Sequence, residues 1–151
     1  MKAPSPKKLQ INPKTAYYDL RIGPSSLHRY GVFALEDIPR DRRVIEYTGK
    51  RLSYEQVWDI EFPQDTYLAK MNDLWFLDGS SGGSGAQFIN HSCNPNLLWR
   101  CVRNHLLFFS RRKICAGEEL TADYCYPVKL QRVPCHCGAR RCRGTFRYIL
   151  S

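Results

Sequence analysis

Apolar and polar residues alternate in short bursts along this chain, and helical spacing is sustained only once. Tyr17 to Ile22 alternates as a first strand, and the turn Ser25 to Gly31 leads into the apolar run Val32 to Leu35. Asp37 to Asp41 turns, and Val44 to Thr48 reads as a strand ending at Gly49. Ser53 suits an N-cap for Tyr54 to Ile60, where Tyr54, Val57 and Trp58 fall at helical spacing until Pro63 ends the segment. Thr66 to Lys70 and Leu74 to Leu77 predict a hairpin around Met71-Asn72-Asp73. Leu97 to Val102 and Leu106 to Ser110 predict another over Arg103-Asn104-His105, and Ala116-Gly117 turns into Glu119 to Thr121. The run Gly79 to Gly85 reads as flexible, and no internal repeat is visible. The expectation is a mainly β domain of many short strands with few short helices.

Composition narrows the class without naming a function. With 151 residues, 43% hydrophobic and 13% aromatic, the chain has material for one packed domain and does not resemble a disordered one. Its charge of +9 is uneven. Residues 1–16 form a Pro- and Lys-rich basic arm, expected to be mobile or loosely docked, and Pro127 to Ser151 carries Lys and Arg but no acid. Between Glu55 and Asp78 the balance reverses, with six acids (Glu55, Asp59, Glu61, Asp65, Asp73, Asp78) against Lys70. The basic ends are either solubilising charge or a weak attraction to nucleic acid. The acidic middle is either a solvated face or a groove for a Lys/Arg-rich partner.

No apolar run reaches the roughly 18–20 residues of a membrane span, and Met1 to Lys8 lacks the apolar core of a secretion signal. The expectation is an intracellular protein without membrane contact, acting as a monomer. Seven cysteines, an odd number, fit free thiols plus a metal site better than a disulfide framework. Cys135-x-Cys137-x4-Cys142 sets three thiolates on one short loop, a spacing suited to zinc, which needs a fourth ligand. His136 is one alternative ligand. Cys101, Cys115 and Cys125, in or beside apolar strands, read as core.

Three segments taken together carry more. These are Asn90-His91-Ser92-Cys93-Asn94-Pro95-Asn96, the GEELT-x-DY run Gly117 to Tyr124, and the C-x-C-x4-C loop. In that combination the chain resembles the SET-domain protein lysine methyltransferases, from about Leu20 to about Tyr148. The resemblance implies a SET fold, with small β-sheets around a C-terminal pseudoknot, and a zinc-binding post-SET loop in which Cys93 joins Cys135, Cys137 and Cys142. It implies a division into a SET domain over 17–127 and a post-SET zinc segment over 128–151, with no pre-SET cysteine cluster before Leu20.

It also implies S-adenosylmethionine and Zn2+ as cofactors. The matching cofactor positions are Arg29, Tyr30, Gly31, Tyr67, Gln87, Asn90 and His91, with Asn90 toward the ligand's amino group and His91 toward its adenine edge or the fold. Arg29 stands where the family has a Gly, and the turn survives there if its φ is negative. Gln87 stands where the family often has Arg. Tyr124 matches the catalytic Tyr and Tyr47 a second channel Tyr. Phe146 belongs with the cofactor positions and either closes the channel against cofactor and lysine or simply packs. Ala122 replaces an aromatic that limits methylation, and Ala69 a bulky residue. Space beside the amine follows, unless Trp99 or Tyr126 fills it. The implied activity is methyl transfer to the lysine ε-amine of a basic, histone-like tail, in the nucleus and on chromatin if the source is eukaryotic, in the cytoplasm if bacterial. The alternative is a catalytically weak, zinc-stabilised module that binds peptide or nucleic acid.

Overall fold

The computed structural model of the protein describes residues 9–59, 67–127 and 133–149. It contains twelve short strands and one short α-helix in those residues. A hairpin of β1 (Leu20–Pro24) and β2 (Tyr30–Ala34) is extended by β10 (Glu119–Ala122), antiparallel to β2 and parallel to β7 (Asn90–His91). The sheet order β1-β2-β10-β7 therefore places a late strand between an early one and the start of the central motif. A second sheet has the order β3 (Arg43–Tyr47), β9 (His105–Ser110), β8 (Leu97–Val102), all antiparallel. A third combines β4 (Lys50–Ser53), β6 (Trp75–Asp78) and β5 (Leu68–Lys70).

Local chemistry explains the elements. Arg103 and Asn104 both have positive φ, 49° and 64°, so the β8–β9 hairpin closes in a two-residue turn whose twist matches the strands. Helix α1 (Tyr54–Asp59) opens with a reciprocal cap. The Gln56 N–H donates to Ser53 Oγ at 3.2 Å, and the Ser53 N–H donates to Gln56 Oε1 at 2.8 Å. Pro63, expected to end this helix, and Glu61 and Asp65 of the acidic stretch lie outside the described residues. A register shift between Arg43 and Ile45 lets adjacent Val44 and Ile45 both be buried, against simple alternation.

Val32, Ala34, Ile45, Leu97, Leu106, Phe108, Ile114 and Leu120 share one core. Two expectations change here. From residue 9 the N-terminal arm is docked: Leu9, Ile11 and Ala16 pack on the core, and the Asn12 N–H donates to the Ser84 carbonyl at 2.8 Å. Within the glycine run, Gly79, Gly83, Ser84 and Gly85 are packed, while Ser80 to Gly82 are exposed. A Cβ on Gly83 would lie 2.5 Å from Gln87 Nε2, and one on Gly79 would lie 2.7 Å from Gln87 Cβ. Glycine serves there to admit Gln87. No helix of the described residues is long and apolar enough to cross a membrane.

Candidate methyltransferase site and zinc centre

Strand β7 holds Asn90 and His91 against β10, with Thr121 opposite Asn90 and Ala122 opposite His91. The loop after it is pinned by Asn96, whose Nδ2 donates to the Glu119 carbonyl at 2.8 Å and whose Oδ1 accepts the Thr121 N–H at 2.9 Å. Both ends of this buried amide are thus used on the backbone of β10. The pinning sets the central motif and the GEELT-x-DY run in one rigid unit, with Tyr124 just beyond it.

Asn90 has a lopsided environment. Its Nδ2 faces acceptors only, the Tyr30 carbonyl and Glu119 Oε1 at 2.8 Å each, Ser25 Oγ at 3.1 Å and the His28 carbonyl at 3.3 Å. Its Oδ1 has no partner among the described residues and is left as an acceptor, the chemistry an ammonium donor needs. Glu119 in turn accepts from Ser25 Oγ at 2.8 and 2.9 Å. It also explains Gly31, where a Cβ would lie 2.2 Å from Glu119 Oε1. Gly31 therefore makes room for a carboxylate. Arg29 is exposed with φ +35°, so the condition for tolerating it, a negative φ, is not met: the chain keeps the left-handed turn that glycine favours and accepts strain of about 1–2 kcal/mol to have Arg there.

Tyr47, Tyr67, Ala69, Gln87, Trp99, Ala122 and Tyr124 line a single narrow cavity of about 70 Å³. The Tyr47 hydroxyl donates to the Tyr67 carbonyl, and the Tyr124 hydroxyl donates to the Ile89 carbonyl. Each phenol proton is held by a backbone carbonyl, so each hydroxyl oxygen meets the cavity as an acceptor. Trp99 lines the same cavity as Ala122 and Ala69, so part of the space beside the small residues is bounded by an indole. The Tyr126 side chain lies outside the described part of the chain.

Next to this cavity the thiols converge. Cys93 Sγ is 3.8 Å from Cys135 Sγ and 3.9 Å from Cys142 Sγ. Zinc bonded tetrahedrally to four thiolates at about 2.3 Å requires sulfur separations of about 3.8 Å. The donor atoms of His91, Cys93, Cys135 and Cys137 also lie within 4.8 Å of one another. Backbone amides aim at the sulfurs: the Cys93 N–H at Cys137 (3.4 Å), Gly144 at Cys142 (3.4 Å) and Arg143 at Cys93 (3.5 Å). Burial pushes the Cys135 thiol up to about 12 and Cys93 up as well. For Cys137 burial acts upward, but the amides of Cys93 and Ala139 together with the Cys135 and Cys142 thiols outweigh it and bring it down to about 6. The residues fit zinc. His136 is exposed and absent from the convergent set.

The His91 ring bridges the two sites. Nδ1 accepts the Tyr124 N–H at 2.9 Å, and Nε2 lies 3.3 Å from Cys93 Sγ. Burial pushes its pKa down to about 4, with Asp123 opposing and Arg143 adding to the fall. Phe146 covers this ring at 4.6 Å between centroids and meets Tyr124 at 5.6 Å. It packs on the residues behind the cavity and is not part of the lining. Asp123 and Arg143 form a two-pronged ion pair of 2.6 and 3.2 Å that ties the post-zinc segment to the residue before Tyr124. The thiols expected in the core are corrected: Cys101 and Cys115 are exposed, and Cys125 is half-buried.

Glu119, Asp123 and Arg143 were missed by sequence reasoning. The only available signal was their adjacency to Leu120, Tyr124 and Cys142 within the motifs.

A tyrosine-walled channel backed by a thiolate metal centre, on small sheets interleaved through β10, defines a SET-type methyltransferase architecture. The SET domain family matches residues 29–125, and the chain belongs to that family. It is 38% identical over 135 residues to the histone-lysine N-methyltransferase, H3 lysine-4 specific, of Schizosaccharomyces pombe, a match covering 83% of this chain and 15% of that protein. It is 35% identical over 136 residues to the histone-lysine N-methyltransferase SETD1B of Xenopus laevis, covering 83% and 7%. The chain thus spans 15% or less of the length of these curated relatives. Among solved structures, the methyltransferase domain of human SETMAR superposes with TM-score 0.74 at 27% identity, covering 93% of this chain and 62% of that one. KRYPTONITE, solved with mCHH DNA, an H3(1-15) peptide and SAH, superposes with TM-score 0.72 at 28% identity, covering 86% and 30%. The expected SET fold with a zinc-compatible cysteine cluster is the fold observed.

Proposed function

We propose that this chain transfers methyl groups from S-adenosylmethionine to the ε-amine of lysine in a basic, histone-like tail. The observation that carries this reading is the narrow cavity with two Tyr oxygens, each of whose protons is committed to a backbone carbonyl. A peptide- or nucleic-acid-binding module has no use for such a passage. The relatives named as histone-lysine methyltransferases, and a structural neighbour solved with SAH and an H3 peptide, support the same choice. On this reading residues 17–127 act as the SET domain and 128–151 as the zinc segment, and the site of action is the nucleus, on chromatin.

The cofactor, when bound, supplies the methyl group. Arg29, Tyr30, Gly31, Tyr67, Gln87, Asn90 and His91 form its proposed seat, with Asn90 Oδ1 accepting from the amino group. Everything else falls to the protein. Leu106, Phe108, Ala122 and Ile89 exclude water from the passage, which disfavours the ammonium form of an entering lysine. The oxygens of Tyr124 and Tyr47 orient the neutral amine, and orientation of this kind is worth on the order of 7–11 kcal/mol in well-aligned systems. Phe146 keeps the His91 and Tyr124 rings in place. Zinc, held by Cys93, Cys135, Cys137 and Cys142, orders the segment that carries Phe146. Incubating the zinc-loaded protein with methyl-labelled S-adenosylmethionine and mixed core histones tests the proposal. Label on histone lysines is expected, and none on any histone would overturn it.

A further inference from the structure

Arg42, Arg43 and Arg111 stand at one end of the β3-β9-β8 sheet with Arg100 two positions further along β8, and we propose that this face binds the phosphate backbone of duplex DNA. All four are exposed. Backbone pairing fixes where they stand. Arg43 is opposite Phe109, and Phe109 is opposite Leu98, two residues before Arg100. The Ser110 N–H donates to the Arg42 carbonyl at 2.9 Å, and the Arg111 N–H donates to the Asn96 carbonyl at 2.8 Å. The Arg100 guanidinium rests 5.8 Å from the Phe109 ring centre, and Arg111 Nη1 donates to the Pro95 carbonyl at 3.3 Å.

None of the four has an ion-pair partner among the described residues. The acids in the same loops are already engaged: Asp41 with Arg40 at 3.5 Å, Asp37 with Lys113 at 3.2 Å, Glu118 with Arg112 at 3.0 Å. The face therefore keeps four positive charges that nothing in it neutralises.

The chemistry and layout favour phosphate. Guanidinium is the fork that grips phosphate in two prongs, and the uncompensated residues are all Arg with no Lys among them. With strands about 4.8 Å apart and about 3.3 Å per residue, Arg43 and Arg100 stand about 12 Å apart at the backbone. That backbone separation is of the order of the DNA major-groove width, about 12 Å, across which phosphates face each other. An acidic peptide offers a single line of charge, whereas the arginines spread across three strands.

The arginine face and the cavity are separate. Arg100 rests on the Phe109 ring, whereas its neighbour Trp99 and the β9 residues Leu106 and Phe108 line the cavity, so strand alternation puts the two on opposite faces of the sheet. A tail in the channel and DNA on the arginine face can thus be held together. This goes beyond the proposed catalysis and does not require it, since DNA binding is read without turnover.

The test is fluorescence anisotropy of a labelled duplex of about 20 base pairs with the zinc-loaded full chain, from about 50 to 200 mM salt. The wild type is expected to bind with a log–log salt slope near −4, about 0.9 per neutralised phosphate. The quadruple variant Arg42→Ser, Arg43→Ser, Arg100→Ser, Arg111→Ser is expected to bind at least about tenfold more weakly, with a slope smaller by about 3. A control that removes four other exposed cations (Lys14→Ser, Arg21→Ser, Lys50→Ser, Arg51→Ser) should change affinity less than about threefold. Circular dichroism and zinc content confirm that each variant is folded. Equal losses in the two variants, no binding by the wild type at the lowest salt, or stronger binding to polyglutamate than to the duplex would each overturn the proposal.

Discussion

The main-chain N–H of Tyr124 donates to Nδ1 of His91 at 2.9 Å, and that bond fixes the imidazole tautomer. With Nδ1 used as an acceptor, the neutral ring carries its proton on Nε2, 3.3 Å from Cys93 Sγ. We propose that His91 is then a donor to a metal thiolate and that Cys142 is the fourth ligand.

Two variants separate these roles. Cys142→Ser should lose bound zinc outright. His91→Ala should keep one zinc per chain but release it faster to a chelator. Its melting temperature should fall by about 4–8 °C, from loss of a charge-assisted bond worth about 2 kcal/mol. Metal analysis and thermal unfolding check both outcomes. Zinc loss in His91→Ala with retention in Cys142→Ser would exchange the assignments.

The Asp123–Arg143 pair connects the zinc segment to the catalytic strand end. Its two side chains are 21% and 35% exposed, so solvent screens it in part and about 1 kcal/mol is the appropriate scale. Arg143→Ala should raise the KM for cofactor about fivefold, since Phe146 loses its anchor. The swap Asp123→Arg with Arg143→Asp should recover part of the loss. Initial-rate kinetics at varied cofactor concentration measure it.

Ala122 is 3% exposed and faces the cavity that Trp99 also lines. With a small side chain there, the wild type should carry a lysine past one methyl. Ala122→Tyr should shift the product toward monomethyl-lysine at little cost to the first transfer. Mass spectrometry of a methylated tail peptide reads the product states directly, and strict monomethylation by the wild type would refute the argument.

Acid should weaken the loop that carries Glu118. The Arg112 side chain holds the Glu118 carboxyl below its ordinary 4.5, with the Cys115 N–H adding to the effect against a smaller opposing burial. A carboxylate depressed in the folded state binds fewer protons folded than unfolded. Its stabilisation is therefore present above the ordinary value and is lost as pH falls through and below 4.5. Glu118→Gln should flatten the acid limb of melting temperature against pH while leaving the neutral region nearly unchanged.

What could be read in advance depended on how local the cause was. The β8–β9 and β5–β6 hairpins were legible because alternation and turn residues sit within a few positions, and Ser53 announced α1 by its cap. Strand β4 was not, since Lys50-Arg51-Leu52-Ser53 offers one apolar residue and its pairing with β6 is non-local. The glycine run misled because glycine marks close approach as readily as flexibility, and only Gln87 packed against it decides which. Cys115 follows Ile114, fully buried at its bridge to Ile38, and the next residue turns outward. Thiol spacing located three of the converging sulfurs, and the resemblance supplied Cys93. Asp123 and Arg143 could not be paired from sequence, because nineteen residues and the whole thiol loop lie between them.

The most direct test of the account is the single-turnover rate of methyl transfer to a histone tail peptide by zinc-loaded wild type and Tyr124→Phe. Removing the oxygen proposed to orient the amine, with the ring and fold retained, should slow transfer by about a hundredfold or more, roughly 3 kcal/mol, while zinc content is unchanged. Equal rates in the two proteins would contradict the account.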